Sequence, residues 1–157
     1  MAGYTSRLHY FSEWISDNEQ LGIGSSITQE LGGVVLNEPI DFMSSNRSQY
    51  PPLESEDVLE QIRAIERTLS ERTLYYIPKD RIESVAPRIR NGDVIAATRS
   101  IRGLDIAHTG FAIWIDGRLH FMNAPLVGRS VEISELPLAD RIRRISGQDG
   151  IMVARPL

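Results

Sequence analysis

The 157-residue chain contains no cysteine, and Lys79 is the single lysine among its 17 basic residues. Without a thiol these residues can supply no disulfide framework, no thiolate metal site and no cysteine nucleophile. The scarcity of lysine reads as a coding bias toward arginine, with Arg-based recognition of anions as the alternative. A surplus of positive charge is also lacking: the net charge is −4 and the pI about 5.4, with both signs interspersed. That excludes the electrostatic footprint of a nucleic-acid binder. No stretch reaches the roughly 18 apolar residues that a membrane span needs, and the N-terminus has no charged segment followed by an apolar run. Internal repeats and low-complexity tracts are absent.

What is present is 41% hydrophobic and 24% charged residues, the composition of a globular chain with a substantial core. A single domain over residues 1–157 is expected, because no shift in composition marks a boundary. The segment TSRLHYFSEWISDNEQLG opens on hydroxyl residues suited to capping, places Leu8, Phe11, Trp14 and Ile15 on one helical face, and closes at Gly22. LGGVVLNEPIDFMS predicts a strand that bends or ends at Pro39, and SNRSQYPPLES a long surface loop. After Ser55, Val58, Leu59, Ile62, Ile65 and Leu69 recur at helical spacing. Asp80 and Glu83 stand at capping-box spacing ahead of a short helix. Strands are predicted at LYYIP, DVIAATR, RSVEI and GIMVARP, and a helix at LPLADRIRRI. The class is α+β, an antiparallel sheet with helices placed mainly earlier in the chain.

The stretch DIAHTGFAIWIDGRLHFMNAP, residues 105–125, carries the most chemistry. Asp116-Gly117 between alternating apolar runs is a hairpin signal, since both central positions of the favoured turn require positive φ. A two- or four-residue loop pairs Ile115 with Arg118, so that His108 and Asn123 become diagonal neighbours on one face and His120 falls on the other; a three-residue loop would destroy that pairing. Gly110 and Ala112 share the His108 face, and their small size would admit another backbone or helix. An imidazole held by an asparagine amide has a fixed tautomer and can act as general base for a nucleophile across the gap, although a histidine at a strand start also serves structural roles. Three widely spaced histidines without cysteine form no zinc-ligand pattern, and no metal or other cofactor is expected.

SRLHYFSEWISDN, RNGDVIAATRSIRGLDIAHTGFAIWIDGRLHFMNAP and GIMVARP together resemble the N-acetylmuramoyl-L-alanine amidase-like family, a branch of the NlpC-type papain-like cysteine peptidases. The resemblance implies a papain-like, NlpC-like antiparallel sheet with N-terminal helices. It also implies a peptidoglycan hydrolase of the bacterial periplasm or cell envelope that cuts the amide between N-acetylmuramic acid and L-alanine through a Cys, a His and a third polar residue. His108 matches the family histidine. Asn123 stands where relatives carry a second histidine in a His-Ala-Ser sequence, and Pro125 replaces that serine. The family's nucleophile lies in an Asp-Cys segment upstream of the HYF block, so the chain reads as the C-terminal part of such an enzyme, truncated ahead of HYF, with the nucleophile helix missing and hydrolysis lost.

Arg7 could pair with a peptide or muramyl carboxylate, Tyr10 could stack or hydrogen-bond, and Asp105 could accept from a substrate amide. The competing roles are surface solvation, core packing and turn stabilisation. A non-catalytic module that binds muramyl-peptides is the alternative to the amidase. The missing helix implies that the sheet face bearing Gly110, Ala112, Trp114 and Phe121 is left uncovered, or is covered by the first helix or a second copy of the chain through self-association.

Overall fold

The computed structural model describes residues 3–126 and 130–157. Its frame is an eight-stranded sheet, all of whose pairings are antiparallel. In chain order the elements are α1 (Phe11–Leu21), β1 (Gly24–Ser26), β2 (Val34–Leu36), α2 (Phe42–Ser45), α3 (Glu56–Ser70), β3 (Leu74–Pro78), α4 (Ile82–Val85), β4 (Val94–Arg99), β5 (Ile106–Ile115), β6 (Arg118–Asn123), β7 (Glu132–Ile133), α5 (Leu138–Arg144) and β8 (Gln148–Pro156). The sheet order is β2-β3-β8-β4-β5-β6-β7, with β1 pairing β8 beyond β3. The last strand therefore lies in the middle. Its alternation splits the packing: Ile151 and Val153 face one layer, Met152 and Ala154 the other.

On the first face, α4, α5 and Leu31 close over Ile95, Ala97, Ala112, Leu119 and Phe121. On the second, Phe11 and Ile15 of α1 pack on Ala96, Met152 and Ala154. A third cluster joins Tyr10, Ile40, Met43 and Leu53 to the apolar stripe of α3. This corrects the expectation that the face would be left open, or covered by the first helix or a second copy of the chain. The face that carries Ala112 and Phe121 is covered, by helices from later in the chain, while α1 packs against the opposite side.

Local chemistry accounts for the other departures. α1 starts at Phe11 rather than at the hydroxyl pair Thr5 and Ser6, because its second turn-forming N–H, that of Ser12, is bound by the distant Asp105 carboxylate at 2.7 Å. It ends at Gly22, whose φ of 68° no β-carbon would favour. The proline-rich segment predicted as a surface loop begins where α2 ends and folds into two turns of 3-10 helix, Arg47–Gln49 and Pro51–Glu54, anchored by the fully buried Leu53. The capping box of Asp80 and Glu83 does not form, and α4 begins after Arg81 without a side-chain cap. The strand predicted at RSVEI is realised at Glu132–Ile133, while its Arg129 end lies outside the described residues.

Candidate functional site

Asp116 and Gly117 take φ values of 47° and 75°, the pair of positive angles that a two-residue turn demands. The turn fixes the register: Ile115 pairs with Arg118 and Phe111 with Met122. Counting on by one residue sets Gly110 opposite Asn123, and His108 two residues along the same face.

The His108 ring reaches across the diagonal to Asn123, Nε2 to Oδ1, at 2.8 Å. Asn123 is buried, and its own amide nitrogen donates to the Phe121 carbonyl at 3.3 Å. That second bond orients the amide with its oxygen toward the imidazole. An amide oxygen only accepts, so Nε2 carries the proton and Nδ1 keeps its lone pair. Among the described residues Nδ1 has no hydrogen-bond partner. This is the arrangement a general base needs, one nitrogen held and the other able to take a proton. We expect 15N NMR of the imidazole to show the Nε2-protonated tautomer, and Asn123→Ala to return the ring to a mixture; an Nδ1-protonated ring in the parent chain would overturn the assignment.

Phe121, fully buried, forms the floor beneath this pair. Its ring lies 5.9 Å from that of His108 in an edge-on arrangement. Gly110 is required by this approach, because a β-carbon there would come within 2.7 Å of Phe121 Cε2 and would also strike the Met122 carbonyl. The small residue admits an aromatic ring of the neighbouring strand, where a packed helix had been expected. Over the same ring, at 5.0 Å, sits the Arg141 guanidinium of α5, a cation–π contact. Burial disfavours the charged form of Arg141, with Glu132 partly compensating.

The other sequence-predicted residues lie elsewhere. Tyr10 is buried; its hydroxyl donates to Glu66 at 2.7 Å and accepts from the Met43 N–H at 2.9 Å. Burial pushes that hydroxyl's pKa up, the Met43 bond opposes this, and Glu66 adds to it. Asp105 is 2% exposed and accepts from both the N–H and the hydroxyl of Ser12, tying the start of β5 to the first turn of α1. Burial raises its pKa and the Ser12 bonds partly offset the rise. Arg7 is exposed. None of the three makes a hydrogen bond to His108 or Asn123 among the described residues. His120 bonds the Ser134 carbonyl through Nδ1 on the opposite face from His108. No group of three His, Cys, Asp or Glu side chains suited to a metal is brought together among the described residues.

A family model described as AmiA-like, N-acetylmuramoyl-L-alanine amidase-like, matches residues 1–151. The chain belongs to this family. An N-acetylmuramoyl-L-alanine amidase from Bacteroides uniformis shares 32% identity with a TM-score of 0.91, the match covering 99% of this chain and 66% of that one. The chain thus spans just under two thirds of that amidase's length. A Bacteroides fragilis protein provisionally named a xylanase shares 34% identity, again with a TM-score of 0.91, over 99% of this chain and 68% of that one. A Legionella pneumophila protein at 22% identity and a TM-score of 0.65, over 100% of this chain and 64% of that one, shares the fold. No curated protein matches significantly. Among the described residues of this amidase-like chain no helix is long and apolar enough to cross a membrane.

The sequence reading placed Phe121 on the His108 face without its contact to the ring, and missed Arg141. The signal available for Arg141 was its position three residues after Leu138, on the stripe that Ile142 shares, where an arginine is out of place on a buried helix face.

Proposed function

We propose that this amidase-like chain carries the His–Asn half of an NlpC-type cysteine amidase site acting on the N-acetylmuramoyl-L-alanine amide bond of peptidoglycan, outside the cytoplasm in the periplasm or cell envelope. The observation that supports it is the 2.8 Å bond from His108 Nε2 to an Asn123 oxygen whose orientation a second hydrogen bond fixes. In that chemistry Nδ1 of His108 takes the proton of a thiol, the thiolate sulfur adds to the amide carbonyl, and the imidazolium returns the proton to the departing alanine amine as the C–N bond breaks. Water then hydrolyses the thioester. Asn123 holds the ring in position throughout. Arg7, exposed, remains available to a substrate carboxylate, whereas Tyr10 and Asp105 support the site from within the core.

The 157 residues hold no cysteine, so the nucleophile has to come from other residues, and the chain by itself should not turn over substrate. The same fact favours a second reading, a module that binds muramyl-peptides without cutting them. One experiment separates the two. The chain is incubated with a muramyl-L-alanyl peptide, alone and with the third of the Bacteroides uniformis amidase that it does not match supplied in trans. The amidase reading expects no alanine-terminated peptide from the chain alone, and release in the mixture that His108→Ala abolishes. Binding with no release in either case supports the module. Turnover by the chain alone that survives His108→Ala would place the chemistry elsewhere.

A further inference from the structure

A cleft of about 340 Å³ opens between the β2–α2 connection and the β4–β5 loop, with Leu36, Tyr76 and Leu104 in its apolar wall and Arg99, Asp149 and Glu38 as its charged groups. A register shift shapes it. Thr98 pairs with Gly150 and Arg99 with Gln148, leaving Asp149 as the extra residue of a β-bulge. A bulge re-aims a side chain, and this one turns Asp149 to the side of Thr98, whose hydroxyl donates to Asp149 Oδ1 at 2.5 Å. Thr98 follows Ala97 in an alternating strand, so that side is the one of Ala96 and Tyr76, opposite to His108. Both walls are tied down by backbone hydrogen bonds. The Asp41 and Phe42 N–H groups donate to the Gly103 carbonyl at 3.2 and 3.1 Å, the Ser100 N–H donates to the Gly147 carbonyl at 3.1 Å, and the Lys79 N–H donates to the Asp149 carbonyl at 2.8 Å.

The charges that line this one cleft do not neutralise each other. Among the described residues Arg99 forms no ion pair with Asp149 or Glu38, and Asp149 Oδ2 accepts no hydrogen bond. A simple anion would suit the guanidinium and be repelled by the two carboxylates; a simple amine meets the reverse. A zwitterion satisfies both signs at once through charge-assisted hydrogen bonds. The volume stands at the small end of the roughly 300–1,000 Å³ typical of ligand sites, and the apolar wall leaves a place for a hydrocarbon side chain. We propose that the cleft binds a free α-amino acid with an apolar side chain, its ammonium at Asp149 and its carboxylate at Arg99. The assignment stands apart from the amidase reading, because the cleft and His108 lie on opposite faces of the sheet and no bond of the ligand is broken.

The test is an NMR titration of the full chain with L-leucine, with N-acetyl-L-leucine, which lacks the ammonium, and with L-leucinamide, which lacks the carboxylate. L-Leucine should shift the Ser100 and Gly103 backbone amides and the Arg99 Nε signal, and each blocked analogue should bind at least about tenfold more weakly, the scale of one charge-assisted hydrogen bond. The variants give a reciprocal pattern. Asp149→Asn should weaken L-leucine about tenfold and leave N-acetyl-L-leucine unchanged, and Arg99→Gln should weaken L-leucine as much and leave L-leucinamide unchanged. Both variants keep the fold, since asparagine retains an oxygen for the Thr98 hydroxyl and Arg99 is exposed. That pattern upholds the site. No shift of these signals with L-leucine near its solubility limit, blocked analogues that bind as tightly as L-leucine, or variants that bind it unchanged overturns the proposal.

Discussion

Phe121→Ala should lower unfolding stability by about 3–5 kcal/mol, the usual cost of truncating a fully buried phenylalanine. The ring has no exposure and is gripped from three directions: by the hollow over Gly110, by the edge of His108, and by the Arg141 guanidinium. Collapse cannot fill the space, because Gly110 has no side chain to move and the two polar neighbours gain nothing from entering an apolar void. Against a typical domain stability of about 5–15 kcal/mol this is a large fraction. Urea unfolding monitored through Trp14 and Trp114 would measure it. The loss should also loosen the His108 ring, so the tautomer preference set by Asn123 should weaken in the same variant. A change below about 1 kcal/mol would mean that the hairpin's packing is not what holds the site.

The second large effect concerns Asp105. Asp105→Ala leaves a buried N–H and a buried hydroxyl of Ser12 without their acceptor and removes a negative group from the first turn of α1. At roughly 1–3 kcal/mol for each orphaned buried group, the cost is a few kcal/mol. Its pH dependence has a definite sign. Burial is the largest influence and raises the carboxyl's folded pKa above its ordinary value, so the native state holds this proton more tightly than the unfolded chain does. Stability contributed by such a group is fully present below its unfolded pKa, about 3.9, and is lost as pH rises through the raised folded value. The parent chain's advantage over Asp105→Ala should therefore be larger at about pH 4 than at neutrality, as read from urea unfolding at both. An advantage that shrinks on acidification would mean that the Ser12 bonds outweigh burial.

The hairpin and the long helix could be read from local sequence because both are governed by local rules: Asp116-Gly117 sets its own turn, and the apolar stripe of α3 repeats over four turns. The pairing of His108 with Asn123 followed from strand parity alone. What escaped was decided at long range. β1 is Gly-Ser-Ser, with no β-branched or apolar signature, and exists because it pairs with Ser26's partner Ala154 and its neighbours in β8. Thr5 and Ser6 were reasonable caps for α1 until a carboxylate 93 residues away from Ser12 supplied a better one. The Pro51-Pro52 segment has the composition of a loop, and Leu53 alone pins it into the core. Arg141 stands on an otherwise apolar face, and only the ring beneath it explains how the helix tolerates it. Coverage of the His108 face could not be inferred from which segment was thought to be absent, because α5 comes from the far end of the chain.

The central place of β8 bears on how the molecule is made. Strands β1, β3 and β4 each find their partner in residues 148–156, which the ribosome delivers after those three strands. Until they emerge, three earlier strands wait with open edges, and the hairpin that carries His108 has neighbours on only part of its surface. Such pairings close large loops and form slowly. In the interval the nascent chain offers unpaired strands to other nascent chains, the condition in which aggregation competes with folding. Substitutions in β8 should consequently lower the yield of soluble protein during synthesis in addition to destabilising the finished fold, in which Ile151 and Val153 are fully buried.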